Sequence, residues 1–369
     1  MKRNSIKRKW KRIMTAATAA ALMVSSLGTL TAAAAEPGDQ LKNAQVKVIK
    51  SFETNYAGEG AVNTFPELTF AFEFTADQAE SSSKDDIPAI GEKSVTVPAS
   101  ASQESKKVET QGQPDKWVLT LETGNVLEGV QFPHAGLYVY DVVEKNQTYT
   151  LGANENLTCS DEKYKMYVYV ANIEDGMSVE TTTGNQEKGI YISSIELFKC
   201  NAEGTIDKGQ IEDYKALELK FTNTFYRTAS LKVTNTTVGK YANKDKEFSY
   251  SLTLGQNPAF GGKDSYTVKV VKDGKTQELN IKPGETITDI MLADGDYFEM
   301  DPELPEGITY TAVEKLALES NDPYSSKILD IYYNNREDQK NSLTGNQEIK
   351  PGDDDTELTG NSHTIRYKH

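Results

Sequence analysis

Residues 219–235, LKFTNTFYRTASLKVTN, decide how this chain is read. Leu219, Phe221, Asn223 and Phe225 alternate with polar residues, and Leu231, Val233 and Asn235 do the same, a period of two that marks half-buried β-strands. The stretch reads as the end of one strand, a short bridge and the start of another. Each strand carries an asparagine in phase with its apolar residues. A carboxamide on a core-facing row is costly unless it is hydrogen-bonded or chemically used.

The same period recurs along the chain. AQVKVIKSF, LTFAFEF, KWVLTLET, GLYVYDVVE, KMYVYVANI, YISSIELF, FSYSLTL, YTVKVVK, ITYTAVE and HTIRYKH are rich in Val, Ile, Tyr, Phe and Thr and are separated by polar, turn-forming stretches. No long segment shows an apolar stripe at helical spacing, so the expected class is all-β with sandwich architecture. The pattern also repeats. VKVIK followed by LTFAFEF is matched by LKVTN followed by EFSYSLTL; LYVYDVVE is matched by ITYTAVE, and ELKFTN by HTIRYKH. Two domains are therefore expected, at 41–227 and 228–369. The bridge TFYRTAS holds no Gly or Pro, which predicts two sandwiches stacked end to end with limited freedom. Residues 341–361, NSLTGNQEIKPGDDDTELTGN, read as a polar insertion whose Asp run fits no EF-hand spacing.

Residues 1–35 differ from the rest. MKRNSIKRKWKR carries seven basic residues and no acid, and an apolar, small-residue run ending in Ala follows, which is the layout of a secretory signal peptide cleaved after Ala35. Without that segment the formal charge falls from −15 to −22, an acidic surface that suits an extracellular protein and excludes nucleic acid as a partner. No later apolar run is long enough to span a bilayer. Secretion permits a disulfide, and a hairpin of 162–173 with 189–200 would bring Cys159 and Cys200 opposite each other; a bridge is favoured over two free thiols. With only His134, His363 and His369, the chain shows no Ser-His-Asp, zinc or phosphate-loop pattern, so no metal or cofactor is expected.

Three polar residues share a phase with apolar neighbours in the first half: Lys50 with Val46 and Val48, Glu144 with Tyr138, Tyr140 and Val142, and Asn223 with Leu219 and Phe221. A lysine desolvated in a core loses its proton readily and becomes nucleophilic, and a glutamate in such a place can stay protonated and donate to a carboxamide oxygen. The amine can then attack the carboxamide carbon and release ammonia, leaving a Lys–Asn isopeptide bond made once by the chain on itself. The alternative is three unrelated residues at strand ends, where polar groups reach solvent.

VKVIK, GLYVYDVVE and LKFTNTF resemble the motifs of the Gram-positive pilin isopeptide-linkage domain, the streptococcal T-antigen-type backbone pilin family. FTNTFYRTASLKVTNTTVG resembles that family's junction between sandwiches, and residues 281–314, with Pro-Gly-Glu, a Leu-Pro-x-Gly turn and a Tyr-x-x-x-Glu strand, resemble its second domain. The resemblance covers most of 41–369. It implies two tandem immunoglobulin-like, Cna-B-like β-sandwiches. It also implies a cross-link from Lys50 to Asn223 with Glu144 as proton relay. The second domain departs from the pattern: Asn235 stands at the lysine position, Glu314 at the glutamate position and His369 at the asparagine position. Lys232 and Lys368 have the wrong phase to replace the amine, so that site reads as degenerate. The function implied is an extracellular pilin shaft or surface stalk subunit. It would be no enzyme beyond its own single-turnover cross-linking, and sortase would join it to other pilin subunits. Lys215, just before the last strand of the first domain, is the candidate sortase acceptor, the alternative being an ordinary surface lysine. SLTGN and ELTGN lack the proline of an LPxTG anchor motif. The competing reading is an adhesin on the same scaffold, binding a host protein or glycan through its tyrosines.

Overall fold

The computed structural model describes residues 40–315 apart from positions 42, 56–64, 83–85, 100–103, 146–148, 175–177, 180–188 and 208–209; beyond 315 it describes 327–333, 340–341, 356–357 and 362–368. The signal-peptide segment, His369 and most of the 341–361 insertion lie outside the described residues. The first half contains β1 (Val48–Thr54), β2 (Leu68–Ala76), β3 (Lys93–Val97), β4 (Lys106–Val108), β5 (Lys116–Glu122), β6 (Gly136–Glu144), β7 (Glu155–Thr158), β8 (Lys163–Asn172) and β9 (Ile190–Lys199). Then comes β10 (Leu219–Thr236), followed by β11 (Phe248–Leu254), β12 (Tyr266–Lys272), β13 (Lys275–Ile281), β14 (Thr286–Leu292), β15 (Tyr297–Pro305), β16 (Thr309–Lys315), β17 (Lys327–Tyr333) and β18 (Ser362–Lys368). The protein is all-β, and no helix among the described residues is long and apolar enough to cross a membrane.

In the first half one sheet runs β4-β5-β1-β10 with β7 on the far edge of β10, and the other runs β9-β8-β6-β2-β3. Their facing rows close a core that includes Phe52, Phe70, Phe72, Tyr138, Tyr140, Phe221 and Phe225. The second half packs β13-β12-β15-β10 against β14-β11-β16 around Leu231, Val233, Tyr250, Leu252, Val268 and Phe298. Two sandwiches thus share one strand.

That shared strand corrects the reading of 219–235 as two strands and a bridge. β10 is continuous over 18 residues, and its burial alternates without a break from Leu219 to Thr236. With no Gly or Pro to interrupt the ladder, the chain simply changes partners. Residues 219–225 pair in parallel with β1 and 224–227 with β7; 228–234 then pair with β15, and 230–236 in parallel with β18. In each half, therefore, the first and last strands are parallel neighbours. Arg227 marks the waist: it is buried, its Nη2 lies 2.9 Å from Glu155 Oε1, and its carbonyl accepts from Glu306 N–H at 2.8 Å.

A second contact closes the junction. The buried Asn55 side chain pairs with the backbone of Phe260 like a strand, donating to its carbonyl at 2.9 Å and accepting from its N–H at 2.8 Å. The next residue, Gly261, has φ +77°, and a Cβ there would run into the ring of Tyr226. Gly261→Ala is therefore expected to cost the junction about 1–3 kcal/mol through strain and collision. Calorimetry should resolve the variant into two separate melting transitions, each sandwich unfolding by itself, where the parent shows tighter coupling.

Candidate functional site

Burial of Lys50 follows from register. β1 and β10 run in parallel with Lys50 opposite Phe221, so Lys50 and Asn223 stand diagonally on the same inward face, one pair apart. Glu144 arrives from the opposite sheet at the end of β6, opposite Phe72 on β2. Lys50 and Asn223 are both 0% exposed and Glu144 is 8% exposed.

The three side chains are in contact. Lys50 Nζ donates to Glu144 Oε2, and Asn223 Nδ2 donates to Glu144 Oε1 at 2.7 Å. The carboxylate holds both partners at once. Around them the wall is aromatic: Lys50 Nζ sits 4.3 Å from the centroid of the Phe70 ring, and Phe221 packs against Phe72 and Tyr164 at centroid distances of 5.1 and 5.3 Å. Loss of hydration in this wall outweighs the attraction of Glu144 and pulls the Lys50 pKa down to about 8. The neutral amine is thus accessible near neutral pH.

The carboxamide orientation differs from the expectation that Glu144 would donate to the carboxamide oxygen. The backbone N–H of Ser160, in the short connection from β7 to β8, donates to Asn223 Oδ1 at 2.7 Å. A backbone N–H can only donate, so the atom it meets is the oxygen, and the nitrogen must face Glu144. Sequence reasoning did not find Ser160, because a backbone donor leaves no trace in residue identity. Nor did it find Phe70, whose phase in LTFAFEF marked it only as core.

The corresponding site in the second sandwich is built differently. Asn235 is buried, donates to Leu292 O at 3.0 Å and accepts from the Tyr250 hydroxyl at 3.2 Å. Tyr250 lies opposite the buried Glu314, as Phe72 lies opposite Glu144. Register puts Tyr367 opposite Asn235, where Phe221 faces Lys50. Among the described residues this site holds a satisfied carboxamide, a tyrosine and a carboxyl, with no amine. Lys244, a neighbouring amine, is instead paired with Asp294 at 3.0 Å.

The expected disulfide is corrected: Cys159 and Cys200 are both free. The hairpin of β8 with β9 exists, but its ladder puts Tyr164 opposite Lys199, and Cys200 N–H then bonds to Lys163 O at 2.8 Å. Cys159 lies four positions further along, near Lys50 and Glu144 on the core side, whereas Cys200 lies near Lys165 and Asp141 on the outer side of the sheet. The ladder does end on either side of the polar stretch 174–188, with Asn172 opposite Ile190, but the two cysteines are not symmetric about it, and a bulge between Ile192 and Ser194 widens the mismatch.

Lys165, on the outer face of the same sandwich, shows by contrast what an unreactive buried lysine looks like. Its Nζ lies 2.5 Å from Asp77 Oδ2 and 2.9 Å from Asp141 Oδ1. Burial works to lower its pKa, but the two aspartates outweigh it and hold the ammonium well above the ordinary value. Lys165 keeps its proton. Lys215, the candidate acceptor, is 47% exposed along its side chain and pairs with Glu212 at 2.9 Å. Among the described residues no cluster of His, Cys, Asp and Glu could hold a metal ion.

A family model described as a domain of unknown function (DUF7601) matches residues 229–358. No curated protein matches the chain. Among solved structures, the chain is similar to the major pilin of Streptococcus pyogenes, with 17% identity over 88% of this chain and 98% of that one at a TM-score of 0.36. It is similar to the T3.2 major pilin of the same species, with 21% identity over 88% and 97% at a TM-score of 0.34. A Mobiluncus mulieris adhesin containing intramolecular disulfide, isopeptide and ester bond cross-links gives 13% identity over 88% and 99% at a TM-score of 0.21.

Proposed function

We propose that this chain is an extracellular structural subunit, a pilin shaft or stalk, whose N-terminal sandwich locks itself with a Lys50–Asn223 isopeptide bond. The observation that carries the reading is one buried carboxylate touching both a depressed-pKa amine and the nitrogen of a carboxamide. Glu144 takes a proton from the Lys50 ammonium. The free Nζ attacks Asn223 Cγ, forming a C–N bond and pushing the carbonyl electrons onto Oδ1. Glu144 then hands its proton to Nδ2, the Cγ–Nδ2 bond breaks, and ammonia leaves. One of the two protons still on Nζ passes to the carboxylate and the other stays as the amide N–H, so an amine and an amide become a secondary amide plus ammonia. No cofactor and no external reactant are needed; held geometry stands in for concentration.

Mechanics give the bond its purpose. β1 and β10 are the first and last strands of this sandwich and lie parallel, so tension applied at the start of β1 and the end of β10 loads them in shear. A covalent tie between them carries that tension past the rest of the sandwich. β10 then passes it directly into the second sandwich, whose site lacks an amine among the described residues. Such a device suits a surface fibre, and the exposed Lys215 would serve as the attachment point for sortase. The shaft reading is tested on cell-wall extracts of the source organism. It predicts ladders of covalent multimers that collapse to monomer when Lys215 is replaced by arginine. Monomer alone in the parent would contradict it.

The reaction should follow the protonation of Lys50. Burial lowers its pKa to about 8, so the reactive neutral fraction rises with pH. Ammonia release by chain recovered unfolded, before it has reacted, and then refolded is expected to quicken about tenfold per pH unit below 8 and level off above it. A rate still climbing at pH 10 would mean an ordinary, solvated lysine.

A further inference from the structure

We infer that the Ser160 backbone N–H is the oxyanion donor of this site and fixes which atom of Asn223 leaves. The inference rests on the isopeptide reading above. An attacked carboxamide develops negative charge on its oxygen, and a donor already aimed at that oxygen stabilises the charge without reorganising. Ser160 N–H lies 2.7 Å from Asn223 Oδ1 before any reaction.

The fold places that donor deliberately. β7 pairs antiparallel with β10, with Thr158 opposite Thr224, so the chain leaving β7 passes Asn223 on the edge of β10 away from Lys50's strand. The next residues turn towards β8, and the turn is held by Glu162 N–H donating to Ser160 Oγ at 3.3 Å. Lys50 and the Ser160 donor therefore flank the carboxamide from opposite neighbouring strands, with Glu144 reaching it from the facing sheet. One hydrogen bond does two jobs. It polarises the carbonyl, and it forbids the flipped rotamer in which Glu144 would face oxygen and the nitrogen would have no proton source for departure. Cys159, the preceding residue, is close enough to Lys50 and Glu144 for their charges to act on its thiol, which burial pushes up. That thiol stays protonated and takes no part.

The test replaces residue 160 of the full chain with its α-hydroxy acid, which turns the N–H into an ester oxygen and leaves the side chain in place. Both chains are recovered unfolded and refolded across a pH series, and ammonia loss is followed by intact mass. The plateau rate of the ester chain is expected to fall by about 10²–10³-fold, with the pH midpoint still near that of the parent. A plateau within threefold of the parent would overturn the inference. So would a slowed reaction whose midpoint climbs towards an ordinary lysine, since that reports water entering a loosened core. If the parent itself loses no ammonia, the isopeptide reading fails and takes this one with it; if the parent reacts and the ester chain keeps pace, only the Ser160 assignment fails.

Discussion

Replacing Glu144 by glutamine is expected to lower the melting temperature of the N-terminal sandwich by about 10–20 °C. Glutamine fills nearly the same volume but cannot accept the Lys50 proton, so the chain folds without closing the loop from residue 50 to residue 223. Chain entropy then returns to the unfolded state. By the relation used for disulfides, a loop of this length corresponds to about 5 kcal/mol. A domain of this size shifts by about 2–4 °C per kcal/mol, which gives the range stated. The variant also leaves a buried amine without its carboxylate, which pushes in the same direction. Scanning calorimetry checks the shift. A shift of only one or two degrees would mean that no covalent tie was lost.

The second large effect is mechanical. Pulled from both ends in a force spectrometer, the parent chain should extend only by the length of its second sandwich and the loops outside the cross-link. The segment from 50 to 223 is expected to stay closed at any force below that of covalent rupture. In the Glu144→Gln chain the same segment opens and adds about 600 Å of contour length at full extension. The parallel pairing of β1 with β10 makes even the uncross-linked form resist in shear, so its opening is expected at higher force than that of an unzipping pair. A parent trace that shows both sandwiches opening would remove the structural role of Lys50.

Much of this was legible in LKFTNTFYRTASLKVTN, and the parts that were not have physical causes. Strict alternation identified the buried row, phase put Lys50, Glu144 and Asn223 each on a core-facing row, and the family resemblance joined them into one site. Continuity of β10 was missed, although the same alternation implies it: a bridge without Gly or Pro has nothing to stop a strand, and Arg227 continues the buried phase because its charge is met by Glu155. The cysteine pairing failed because Cys159 and Cys200 are not symmetric about the turn, and a bulge that composition does not report widens the mismatch. Lys165 was unreadable because β8 is covered on both faces, the outer one by Phe198, Ile206 and the 77–82 turn, so its period of two is erased. The amide rotamer of Asn223 hangs on the N–H of a residue whose identity is irrelevant to it.

The most direct test of the account is the intact mass of the chain purified from residue 36 onward, reduced so that the thiols do not alter the count. The account predicts a mass one ammonia below that of the sequence, and the full sequence mass in the Glu144→Gln variant. A parent at full sequence mass would contradict it, and the Lys50–Glu144–Asn223 contact would then be a buried ion pair in an ordinary sandwich.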